Sequence, residues 1–227
     1  MTTDLLQYFQ KRCITTEPRA KPAIAPFITF SRQTGCNSIA IAKLLKAHLD
    51  QIIPHKWQLV SKEIIELSAH KLQLDPRQVR HIFDPEKCGH IDEILRSMSS
   101  KYYKSDKTIR KTIREIIRDM VTDGHIILVG RAGVVITNDL KNGLHIRLHA
   151  PLEWRISNIS ERKNMNRADA EAYIRNSDEN REKLIFDFGG RKVTDIDFDL
   201  SFNNARLSDD EIALIIFEVL KKRNMVL

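Results

Sequence analysis

Pro26-Phe-Ile-Thr-Phe-Ser-Arg-Gln-Thr-Gly-Cys-Asn-Ser-Ile-Ala-Ile-Ala-Lys-Leu-Leu45 is the stretch that decides how this chain is read. Phe27 to Phe30 form a short apolar run of β-favouring residues, and Ser31 to Ser38 are mostly small or polar. From Ile39 the apolar residues fall at helical spacing, at Ile41, Leu44, Leu45 and Leu49. The order is strand, loop, helix. Such a loop aims backbone N–H groups and a helix N-terminus at an anion, which is the arrangement of a P-loop. The full pattern G-x-x-x-x-G-K-[ST] also needs a lysine for the phosphates and a hydroxyl for Mg²⁺. Here Gly35 is retained, Asn37 stands where a second glycine is expected, Ser38 takes the lysine position and Ile39 the hydroxyl position. The spacing alone fits a phosphate loop and an ordinary strand-to-helix turn equally well, and in the second case Ser38 is an N-cap.

Outward from this stretch, short apolar runs alternate with amphipathic segments. Trp57–Val60, His125–Val129, Leu144–His149 and Phe198–Phe202 are the further strand candidates. Helical segments are expected from Lys62 to His70, after the Asp75-Pro76 start signal, from Ser105 to Asp123-Gly124, after Ala150-Pro151-Leu152-Glu153, and from Asn166 to about Asn180. Ser208-Asp-Asp-Glu211 is a capping box that opens a last helix. Strands alternating with helices predict a parallel sheet covered on both faces.

The 227 residues suit one α/β domain with a lid better than two independent domains. Residues 1–25 read as a short amphipathic helix (Leu5, Leu6, Phe9) and a proline-containing linker, and residues 26–227 as the domain, with a lid-like region at about 155–190. The cysteines Cys13, Cys36 and Cys88 form no C-x-x-C pair and suggest reduced thiols in a cytoplasmic protein. No apolar run approaches a membrane span. The net charge of +7 suits phosphorylated small molecules and does not single out nucleic acid, because the basic residues are spread along the chain. His81, Cys88 and His90 match no usual zinc spacing and lack a fourth ligand.

Five segments, in order, resemble the cytidylate kinase-like family, relatives of the nucleoside monophosphate kinases. Ser31-Arg-Gln-Thr-Gly35 resembles the family's S-R-Q-x-G opening, and Ile126-Ile-Leu-Val-Gly-Arg-Ala-Gly133 its strand ending in G-R-G/A. Ala150-Pro-Leu-Glu-Trp-Arg155 with Glu161-Arg162 resembles A-P-L-x-x-R…E-R, the start of a lid. Ser177-Asp-Glu-Asn-Arg181 resembles D-x-x-R, and Phe198-Asp-Leu-Ser-Phe-Asn203 the closing strand. The resemblance spans about residues 26–222. It implies a P-loop fold with a five-stranded parallel sheet in the order 2-3-1-4-5. It also implies phosphoryl transfer from ATP, with Mg²⁺, to a nucleoside monophosphate or a similar phosphorylated small molecule. The alternative is a degenerate relative that binds a nucleotide or a partner without catalysis. In true cytidylate kinases the residue after G-R is an acid that helps to hold the nucleotide; here it is Ala132.

Phosphoryl transfer depends on positioned cations, and the planar fork of arginine suits phosphate oxygens. The residues expected to meet the donor are Ser31, Arg32, Gly35, Cys36, Asn37, Ser38 and Ile39, with Arg32 a substitute for the missing lysine charge. Arg131 is expected to bind the acceptor, because it follows a buried strand at its C-terminal end. Arg155, Arg162 and Arg181 are expected to act from the lid, with Asp178 orienting Arg181 or a metal-bound water. Each of these also has a plainer reading as a local ion pair or a solvated helix face. The apolar N-terminal helix is a candidate homodimer contact.

Overall fold

The computed structural model describes residues 25–52, 57–83 and 104–226. The expected N-terminal helix, its homodimer contact, the irregular segment from Asp84 to His90 and two of the three zinc candidates lie outside the described residues. The third candidate, His81, bonds through Nε2 to Asp106 at 2.9 Å.

Five strands make one sheet: β1 (Phe27–Arg32), β2 (Gln58–Val60), β3 (Ile126–Val129), β4 (Gly143–His149) and β5 (Leu200–Asn203). Their order is β2-β3-β1-β4-β5 and every pairing is parallel. This is the expected architecture, with the Phe27 strand at the centre. Residues 27–30 are at most 1% exposed, so β1 is apolar on both faces. Thr29 is the polar exception, and its Oγ1 bonds to His145 Nδ1 at 2.7 Å across the sheet.

The helices are α1 (Ser38–Ile52), α2 (Glu63–Leu72), α3 (Pro76–Arg80), α4 (Asp106–Asp123), α5 (Gly133–Thr137), α6 (Leu152–Lys163), α7 (Arg167–Gly189) and α8 (Asp209–Lys222). Local chemistry sets several of their ends. Asp75 and Ser208 each close a capping box, Ser105 caps α4, and Gly124 ends α4 with φ +78°. Alternate residues of the strands feed two cores. Phe27, Ile126 and Leu128 pack with α2, α4 and α5, while Ile28, Phe30, Ile127, Ile146 and Phe202 pack with α1 and α8. Burying each such side chain contributes roughly 1.5–3 kcal/mol.

The region expected to be lid-like is a pair of consecutive helices, α6 and α7, turning at Asn164 with φ +52°. Its tip has a third, separate cluster of Ile156, Ile159, Ala170 and Ile174. Helix α7 runs past the expected Asn180 to Gly189 because Leu184 and Phe188 dock on the first core. The last strand begins at Leu200 rather than Phe198, because Asp195–Asp197 form a turn of 3₁₀-helix, capped by Thr194, just before it.

Candidate functional site

The loop between β1 and α1 lies at the C-terminal edge of the sheet, where ligands of open α/β sheets bind. Gln33 fastens its start to β4: its N–H donates to the Leu148 carbonyl at 3.0 Å and its Oε1 accepts from Ala150 N–H at 3.1 Å. Gly35 has φ +100°, and a Cβ there would meet the Arg155 Cβ at 2.9 Å. That glycine is therefore required twice, by its left-handed backbone and by the close approach of α6. The Asn37 carbonyl accepts from Ile41 N–H at 3.1 Å, so Asn37 holds the N-cap position and Ser38 is the first helical residue. The N-cap reading of Ser38 is thus one residue late.

The Asn37 side chain does not cap the helix. Its Nδ2 donates to both carboxylate oxygens of Asp209, at 3.2 and 3.0 Å, and its Oδ1 accepts from Arg162. Its N–H donates to Asn204 Oδ1 at 2.8 Å, and Asn204 Nδ2 donates to Asp209 at 3.0 Å.

Asp178, midway along α7, ties that helix to the loop. It accepts from the Thr34 N–H at 2.7 Å, the Thr34 hydroxyl at 2.6 Å, Arg155 Nη1 at 2.7 Å and Arg181 Nη1 at 3.1 Å. Arg181 also donates to the Thr34 hydroxyl. Arg155 is 8% exposed, and its guanidinium reaches the Ala150 carbonyl at 3.1 Å and the Thr34 carbonyl at 3.4 Å. Arg155 thus braces the loop from within, paired with Asp178.

Two cavities open at this edge. The smaller, about 350 Å³, lies over the loop; Gly35, Cys36, Asn37, Ser38 and Ile39 line it, together with Arg162. The larger, about 570 Å³, lies between the ends of β1 and β3 and helix α7, and Ser31, Arg131 and Asp178 line it. Arg32, Gln33 and Arg181 line both. Arg155 lines neither.

Arg32 is the central charge. Its guanidinium lies against Gly130, where a Cβ would meet Nη1 at 2.0 Å. Burial, and then the neighbouring charges of Arg181 and Arg131, push its pKa down to about 9, so that it is still protonated at neutral pH. Among the described residues it makes no hydrogen bond. Arg131 donates from Nε to the Ser61 carbonyl at 2.9 Å and stacks on the Phe83 ring at 4.4 Å. Gly130, Arg131 and Ala132 all have left-handed backbone, with φ of +76°, +58° and +55°. For the two non-glycine residues that conformation costs about 1–2 kcal/mol each, and backbone strain of this kind clusters at functional sites. Burial also pushes the Cys36 thiol up to about 11.

The chain matches the model of the cytidylate kinase-like family over residues 27–206. It belongs to the cytidylate kinase-like family. Among solved structures it is similar to an uncharacterized protein from Eubacterium ventriosum, at 15% identity and a TM-score of 0.62, with 87% of this chain and 99% of that one covered. Shikimate kinase from Bacteroides thetaiotaomicron is also similar, at 10% identity and a TM-score of 0.50, with 86% and 98% covered. These likenesses are of fold, and the fold is kinase-like. No curated protein is similar to the chain. Among the described residues no helix is long and apolar enough to cross a membrane.

For a member of this family the sequence singled out much of one edge, since the loop, Arg32, Arg131, Arg162, Arg181 and Asp178 all meet there. It missed Thr34, Asn204 and Asp209. Asp209 sits inside the Ser208–Glu211 capping box, whose local signal is that of a helix start, so nothing short-range marked it as a loop partner.

Mg²⁺ finds no dedicated cage. The usual hydroxyl position is Ile39, Asp178 is committed to two guanidiniums and to Thr34, and among the described residues no group of three or more His, Cys, Asp or Glu could hold a metal ion. The residues present do not fit a protein-held Mg²⁺ site.

Proposed function

We propose that the chain transfers a phosphoryl group from ATP, in the smaller cavity, to a nucleoside monophosphate or similar phosphorylated small molecule in the larger one. The observation that carries this reading is Arg32. A guanidinium without a hydrogen-bond partner among the described residues, with Arg181 and Arg131 as like-charged neighbours and Asp178 as the opposing one, lies on the wall common to both cavities. Burying a like-charged group of this kind is unfavourable unless an anion joins it. A phosphoryl group passing between the cavities is such an anion, and positioned cations are most of what its transfer needs. Arg162 and Arg181 act on the donor side and Arg131 on the acceptor side. Arg155 and Asp178 keep the loop and lid in place. Any Mg²⁺ arrives on the nucleotide's phosphates.

One observation favours the non-catalytic reading. The N–H groups of Thr34 and Asn37 already donate to Asp178 and Asn204, so part of the loop's anion-binding capacity is used internally. The experiment that separates the two is a coupled ADP-release assay across the common nucleoside monophosphates, beside thermal shifts with the same nucleotides. Release above background supports transfer. Stabilisation without release supports a binding-only protein; a ligand at about 100 times its Kd should stabilise by about 2.7 kcal/mol.

A further inference from the structure

The amide of Asn37 lies between a carboxylate and a guanidinium. Its Nδ2 donates to both oxygens of Asp209, and its Oδ1 accepts from Arg162. Chemistry fixes this orientation, because a reversed amide would set oxygen against carboxylate and NH₂ against guanidinium. The amide is held from a second side as well. Asn204, 4% exposed, accepts from the Asn37 N–H and donates to Asp209. The loop and the start of α8 therefore share a small polar ring that presents one oxygen toward the lid.

We propose that Asn37 is a positioning residue: held by Asp209 and Asn204, it fixes Arg162 over the smaller cavity as a cation at the helix end of the loop, where Ser38 and Ile39 carry none. This rests on the proposed function, because it takes that cavity as the phosphate site. The lysine position of the loop is Ser38, and Ile39 follows it, so neither supplies charge. Glycine at position 37 would offer Arg162 no acceptor, and aspartate would repel Asp209. A neutral amide holds the guanidinium without neutralising it, and a phosphate oxygen is the stronger partner when it arrives. Arg155 is the contrast: Asp178 already neutralises it, and it lines neither cavity. On this view the asparagine in the loop is a device that takes over from lysine.

The test is calorimetric titration of the full chain with inorganic tripolyphosphate. Asn37→Ala and Arg162→Ala should each weaken binding by about tenfold, in keeping with one hydrogen bond to a charged group. The double variant should bind no more weakly than Arg162→Ala alone, since Asn37 acts through that guanidinium. Asp209→Ala, which leaves the loop sequence intact, should weaken binding in the wild-type background and have no effect in the Arg162→Ala background. A merely structural Asn37 would weaken binding in both backgrounds, and such additivity overturns the inference while leaving the proposed function standing. Absence of saturable binding to the wild type overturns both.

Discussion

Asp178 and Thr34 are joined twice: the aspartate accepts the threonine's backbone N–H at 2.7 Å and its hydroxyl at 2.6 Å, from 144 positions along the chain. A carboxylate of α7 is therefore bound to the loop in the manner of an anionic ligand. The same carboxylate neutralises Arg155, which is 8% exposed. Removing it strands a buried guanidinium. Asp178→Ala should cost about 3–5 kcal/mol in urea denaturation. Asp178→Asn keeps an acceptor for Thr34 or Arg155 and should cost less. Equal, small losses would show that the lid is not tied to the loop through this residue.

Arg32 should behave in the opposite way. Its charged form is disfavoured by the fold, since burial lowers its pKa from the usual arginine value to about 9. The cost is therefore full below about pH 9 and shrinks as pH rises above that value. Arg32→Met should stabilise the ligand-free protein at pH 7 by about 1 kcal/mol, after discounting for solvent screening. The same variant should lose the stabilisation that ATP or tripolyphosphate confers. A variant that is less stable without ligand and unchanged in its ligand response would remove Arg32 from the site.

Arg131 combines a side-chain role with backbone strain. Arg131→Gly and Arg131→Ala both delete the guanidinium, and both should raise the acceptor KM by about 10- to 100-fold with a smaller effect on kcat. They should differ in stability. Glycine takes a φ of +58° without penalty and alanine does not, so the glycine variant should be more stable by about 1 kcal/mol. Steady-state kinetics with denaturant unfolding of both variants reads the two effects separately.

Cys36 should be a poor nucleophile despite its place in the loop. Its thiol is pushed up to about 11 by burial, against an ordinary 9.0. Its thiolate population at pH 8 is then about 100-fold below that of an ordinary cysteine. In a chain carrying Cys13→Ser and Cys88→Ser, iodoacetamide labelling should be slow up to pH 9 and accelerate toward 11. Because the folded state holds the proton more tightly, the stability this thiol contributes is present below pH 9 and is lost as pH rises through about 11. Rapid labelling at neutral pH would contradict this burial.

The sheet was legible because its strands are short, apolar and separated by helical periodicity, and because Asp75-Pro76, Ser105 and Ser208 announce helix starts in the residues themselves. The arginines of the site were legible through the family's spacing. Their division of labour was not. Arg155 and Arg162 share a helix, yet one is sealed against Asp178 and the other lies over the loop, a difference set by contacts more than a hundred positions away. Asn37 reads in sequence as a lost glycine, because its partners Asn204 and Asp209 are brought to it only by the return of the chain through β5. The extension of α7 to Gly189 was hidden for a similar reason, since Leu184 and Phe188 gain their meaning only against the first core.

The separate apolar cluster at the tip of the lid has a thermodynamic consequence. If the α6–α7 tip swings away from the loop, Ile156, Ile159, Ala170 and Ile174 travel together and stay covered by one another. What is broken is mostly polar: Arg162 from Asn37, and Arg181 and Asp178 from Thr34, with Trp154 the apolar contact of α6 with the second core. A motion that exposes little apolar surface carries little change in heat capacity. Any such opening of the α6–α7 pair should then vary almost linearly with temperature and respond mainly to ionic strength, while the stability of the sheet beneath it follows the strongly curved temperature profile of its two cores.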